Sequence, residues 1–143
     1  MSHSVQRPEI TPAAARTLVD GALEHARANG WEVAVAVVDP HGYLVAFGRS
    51  DNVAPPIGEF ALDKAYTAGT LRKSTKAFGE RMASTPTLSL GLSTRQRLMA
   101  WGGGLAIFDG EDCIGGIGVS GAQSFEDIDC AETAIRALGL EGR

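Results

Sequence analysis

The chain has 143 residues, 44% hydrophobic and 21% charged, with a formal net charge of −4. That is the make-up of one globular domain, taken as residues 1–143, long enough to bury a core without disulfides. Thirteen Lys and Arg against seventeen Asp and Glu, scattered along the chain, form no phosphate-neutralising surface and argue against nucleic acid as a partner. No apolar run nears the roughly 20 residues of a membrane-spanning helix, which argues against a membrane partner. Residues 1–10 lack the basic-then-apolar order of a secretory signal, so a cytoplasmic location is expected. Cys113 and Cys130 are read as buried thiols.

From Thr11 to Asn29 apolar residues recur every three or four positions, the helical period, with Thr11 suited to the N-cap, Pro12 to the first helical position and Gly30 to the stop. Trp31–Val38 and Tyr43–Phe47 read as two strands joined through Asp39-Pro40-His41-Gly42, both apolar enough to be covered on two faces. Arg49–Pro56 reads as a polar loop. Ile57–Leu71 follows as a helix with a narrow small-residue face, suited to close packing or to an interface between copies. Thr75–Met82 is a shorter helix, and the segment from Ser84 to Arg97 is irregular. Leu98–Trp101, Leu105–Phe108 and Cys113–Val119, separated by Gly102-Gly103-Gly104 and Asp109-Gly110, suggest three further strands, and Ser124–Leu138 a final amphipathic helix. The expected fold is α+β in the order α-β-β-α-α-β-β-β-α.

Three groups of residues, taken together, resemble the GlcG/HbpS family, related to the C-terminal domain of PduO-type proteins. They are Val35-Ala36-Val37-Val38-Asp39 with Gly42; Lys64-Ala65-Tyr66-Thr67-Ala68; and Gly115-Gly116-Ile117-Gly118-Val119-Ser120-Gly121 with Asp127. The resemblance covers nearly the whole chain. It implies a profilin-like, five-stranded antiparallel sheet between helices, homo-oligomers, and binding of haem, a corrinoid or another small molecule. Haem- or iron-binding members use a histidine late in the first helix and acidic residues on the central helix. Here Arg27 stands near that histidine's place, His25 is offset from it, and Glu59 is retained. The segment Leu92–Met99 is more basic than the family pattern.

The candidate chemistry has a plain reading beside each functional one. Gly102-Gly103-Gly104 is a tight turn, or, through exposed amides at Gly103 and Gly104, an anion cradle. Ser120-Gly121 precedes a helix whose first amides are free to hold an anion, whereas Ser124 and Asp127 read as a capping box. Glu59 and Asp63, four apart on one helix face, are solvated first-turn carboxylates or metal ligands, with His25 a further metal candidate. Lys64 snorkels from a buried face or contacts a ligand, as Tyr66 also can. Arg95 and Arg97 beside Trp101 form a solvated loop or a cationic and aromatic wall for a planar carboxylate. His41, at a hairpin tip, is solvent-facing or a proton carrier. Three functions remain open: a small-molecule binder taking haem or another planar carboxylated ligand, a catabolic enzyme using His41, Glu59 or Asp63 as acid or base, and a structural oligomer subunit.

Overall fold

Helix α1 (Pro12–Ala28) begins as its sequence dictates, with Thr11 Oγ1 accepting from Ala14 N at 3.1 Å and Pro12 in the first turn. The computed structural model describes residues 1–143. Strands β1 (Ala34–Val38) and β2 (Leu44–Arg49) form the first hairpin. Its turn is held by Asp39 Oδ1, which accepts from His41 N at 2.8 Å and Tyr43 N at 3.1 Å, while Gly42 takes φ +90°. Next come α2 (Pro55–Leu71), α3 (Thr75–Met82) and α4 (Pro86–Leu92). The chain closes with β3 (Gly104–Asp109), β4 (Asp112–Ser120), α5 (Ser124–Ala137) and β5 (Glu141–Gly142).

The sheet is five-stranded and antiparallel throughout, in the order β2-β1-β4-β3-β5, so the α+β class and the helix-flanked five-stranded sheet are as expected. Three details differ. Leu98–Trp101 is a loop rather than a strand, and the fifth strand is the C-terminal β5. The reason is local: Thr67 Oγ1 donates to Arg97 O at 3.0 Å and accepts from Met99 N at 2.9 Å, so a helix side chain satisfies backbone groups that a ladder would otherwise use. The irregular segment contains α4, capped by Thr85 Oγ1 on Leu88 N. Pro55-Pro56 opens α2 instead of closing a loop, because proline loses no hydrogen bond in the first turn.

Alternation along β1 divides the core into two layers. Val35 and Val37 join Leu18, Ile107, Ile117 and Ile135 under α1 and α5, whereas Ala34, Ala36 and Val38 meet Ala61 and Ala65 of α2 on the other face. The second layer is thin because β4 is paved with glycine. A Cβ on Gly118 would lie 2.5 Å from Ala65 N, and one on Gly116 would lie 2.5 Å from Gly69 N, so the α2 backbone rests directly on the strand. The small-residue face of α2, expected as a possible interface between copies, is therefore consumed inside the chain. Strand β2 is an edge and is not covered on both faces, since Leu44 and Phe47 remain exposed.

Candidate functional site

Helix α2 carries three kinds of position around its circumference. Ala61, Ala65 and Ala68 face the sheet and are fully buried, while Glu59 is exposed and Asp63 half-buried. Between these stripes lie Phe60, Lys64 and Thr67, spaced at four and three, turned toward residues 97–104 and the start of α5.

Lys64 is 2% exposed. Its Nζ donates to Val119 O at 2.9 Å and to Asp127 Oδ2 at 3.2 Å, and Asp127 Oδ1 accepts from Ala122 N at 3.0 Å. Burial lowers the Lys64 pKa and raises that of Asp127, and in each the attraction of the partner opposes the shift. Asp127 is thus a buried partner of Lys64 rather than the expected cap. The capping carboxylate is Glu126, whose Oε1 accepts from Gln123 N at 3.1 Å.

The glycine run packs against this ion pair. Gly103, at φ +126°, would place a Cβ 2.9 Å from Lys64 Nζ, and the Gly104 amide is taken by Thr75 Oγ1 at 2.9 Å. All three glycines are buried, which is the tight-turn arrangement. Beside them a cleft of about 200 Å³ opens between α2, Trp101 and the β4–α5 junction, lined by Phe60, Lys64, Trp101, Ser120, Ser124 and Asp127. Gly121, at φ +126°, turns the chain along its edge. Phe60 and Trp101 meet edge to face at 5.3 Å, and Trp101 is 55% exposed. Ser120 is 4% exposed, yet its hydroxyl has no partner in the protein. No sealed side-chain oxygen or nitrogen lacks a hydrogen bond, so this hydroxyl opens into the cleft. The Ser124 and Phe125 amides, first in α5, have no helical acceptor to reach.

The remaining candidates are placed elsewhere. The Arg97 guanidinium stacks 3.9 Å over the Tyr66 ring and its Nε lies 3.8 Å from Asp63 Oδ1, so it is held on α2 rather than joined to Trp101. Arg95 is exposed. Asp63 has its pKa raised by burial, opposed by Arg97 and reinforced by Glu59, which agrees with the two carboxylates facing one way. Glu59 lines a separate cleft of about 360 Å³ with Phe47 and Arg49, in which neither His41 nor Asp63 takes part. His25 Nε2 is engaged by Asp129 Oδ2 at 2.6 Å, tying α1 to α5 against Trp31. No three His, Cys, Asp or Glu side chains converge as a metal site. The largest cleft, about 390 Å³, lies between residues 5–8, Arg72, Phe108 and Cys113 and holds none of the expected site residues. No helix is long and apolar enough to cross a membrane.

Sequence reasoning underrated Asp127 and passed over Phe60. The missed signal was Lys64 itself: a lysine bordering an alanine face that packs on glycine has to reach a buried carboxylate.

A five-stranded antiparallel sheet flanked by helices defines a small α+β domain. The family model described as haem degrading protein HbpS-like matches residues 10–136, and the chain belongs to that family. It is 33% identical over 136 residues to an uncharacterised 15.0 kDa protein of Citrobacter freundii, covering 94% of this chain and 96% of that one. It is 32% identical over 106 residues to protein GlcG of Escherichia coli K12, covering 74% and 77% of the two chains. A solved structure described as the PduOC–heme complex superposes with a TM-score of 0.85 at 27% identity, covering 93% of this chain and 97% of that one.

Proposed function

We propose that the protein binds a small planar carboxylated molecule, its carboxylate seated at the α5 N-terminus beside Ser120 and Lys64 and its ring against Trp101. The observation that carries this reading is the buried, unpartnered Ser120 hydroxyl opening into a cleft walled by Phe60 and Trp101. Free amides and the positive end of the helix dipole favour an anion there, and an ammonium with two of its three donors used can add a further bond.

Haem is the ligand suggested by the family and by the PduOC complex, and the residues fit it in part. A volume of about 200 Å³ lies below the roughly 300–1,000 Å³ that encloses a drug-sized ligand, so the cleft would hold only a carboxylate edge of haem, with Trp101 on its wall. The lining residues include no His, Cys, Met or Tyr, the customary axial ligands of haem iron, so haem here would be held by a carboxylate and ring contacts and not through its iron.

Haemin titration followed by absorbance tests this. A saturable Soret shift, weakened by Trp101→Ala and Ser120→Ala, is expected. An unsaturable response that ignores both substitutions rejects haem at this site. Self-association belongs to the same proposal, with exposed Tyr43, Leu44 and Phe47 along the β2 edge as its apolar surface. Light scattering at micromolar concentration giving the monomer mass removes it.

A further inference from the structure

The cleft contains a nucleophile that a simple carboxylate binder does not need. Lys64 is withdrawn from bulk solvent yet lines the open cleft, with Asp127 Oδ2 3.2 Å from its Nζ to take a proton. Burial lowers its pKa, which raises the share of neutral, nucleophilic amine. The same cleft is lined by Ser120, whose unpartnered hydroxyl is on a residue more than nine-tenths buried, and by Ser124, which opens α5 with a free amide. One end of a short ligand can therefore be held as a carboxylate while the adjoining carbon meets an amine. A cleft of about 200 Å³ suits such a molecule better than a macrocycle.

We propose that Lys64 forms a Schiff base with a small 2-oxo carboxylate, whose carboxylate sits at Ser120 and the α5 N-terminus and whose carbonyl carbon faces Nζ. The inference rests on the carboxylate seat proposed above. The Lys64 ammonium passes one proton to the Asp127 carboxylate, and the freed nitrogen pair forms the C–N bond as the carbonyl π pair moves to oxygen. That oxygen takes one proton from nitrogen and one back from Asp127 and leaves as water. The product is the protonated imine, and Asp127 is again a carboxylate; nothing is oxidised or reduced.

The test is peptide mapping of the full chain after incubation with pyruvate and cyanoborohydride, which converts the imine to a stable secondary amine. The chain has only three lysines, Lys64, Lys73 and Lys76, so the two exposed ones and the α-amino group are internal references. Labelling of Lys64 is expected to exceed that of Lys73 and Lys76 severalfold, because the carboxylate seat holds the ketone carbon at its amine. The excess falls with propanal, which has no carboxylate, and Ser120→Ala lowers labelling by pyruvate but not by propanal. Equal labelling of all amines, or none at Lys64, overturns the proposal in the unmutated protein, whether or not a Lys64→Arg variant folds. Lactate, which has the carboxylate but no carbonyl, separates the two ideas through Trp101 emission in a Trp31→Phe background. Quenching by lactate without labelling removes the nucleophile and leaves the seat, whereas neither effect removes both.

Discussion

Replacing Lys64 with methionine takes the ammonium from a site where both partners are 2% exposed. Methionine fills a similar space, so packing changes little, but Asp127 is left with one hydrogen bond, from Ala122 N, and no counter-charge. Removing one member of a buried pair typically costs about 3–5 kcal/mol, which in a domain of this size lowers the melting midpoint by about 10–20 °C. Urea unfolding followed by tryptophan emission measures it. Lys64→Met/Asp127→Leu removes both charges and is expected to regain about 2 kcal/mol of the loss, although Ala122 N then lacks its acceptor. The pH dependence has a definite sign. Burial raises the folded-state pKa of Asp127 above its unfolded value, and in the single variant the opposing attraction of Lys64 is gone. The folded variant then binds the proton more tightly than the unfolded chain, so the deficit against the unmutated protein shrinks as pH falls from 7 toward the unfolded carboxylate value near 4. A single-variant cost under about 1 kcal/mol, or a double variant no more stable than the single, would refute the reasoning.

Other outcomes follow from the packing and the thiols. Gly118→Ala forces a methyl group against Ala65 N and Ala61 O of α2, and overpacking of this kind costs about 1–3 kcal/mol, read from the same urea curves. Burial, reinforced by Asp127 and Asp129, pushes the Cys130 thiol up to about 12, against about 8.5 in an unfolded chain. Between those values the unfolded chain has lost a proton that the folded one keeps, so stability falls as pH rises through that window, and Cys130→Ala flattens the fall. At pH 8 a thiol reagent should modify half-buried Cys113 before Cys130, which reacts only on unfolding. His25→Ala removes a partly exposed contact with Asp129 worth about 1 kcal/mol or less and, since the site above has no histidine, leaves haemin affinity unchanged in the absorbance titration.

Much of the architecture was legible in the residues because its signals are local. The period of α1, its Thr11-Pro12 start, the Asp39–Gly42 turn and the Asp109-Gly110 turn each depend on neighbours a few positions away, and each lies where expected. The resemblance carried by Lys64-Ala65-Tyr66 and Gly115–Gly121 likewise led to the right family. The ends of elements were harder. Pro55-Pro56 serves a loop and a helix start equally well, and a two-residue strand such as β5 has no periodicity to detect.

What the sequence determined alone is helices α1, α2, α3 and α5, the central strands, the β4 glycines and a lysine bordering an alanine face. What only the tertiary structure decided is how they meet. The glycines of β4 let the α2 backbone settle on the sheet, and that close approach buries Lys64 where Val119 O and Asp127 can hold it. The same docking draws Arg97 onto Tyr66, keeps Leu98–Trp101 out of the sheet and sets Trp101 against Phe60, leaving Ser120 open at the cleft. Lys64 and Asp127 are 63 positions apart in the chain, and no local pattern encodes a contact at that separation. Packing the two layers together creates it, because a buried ammonium is stable only where the fold supplies its partner.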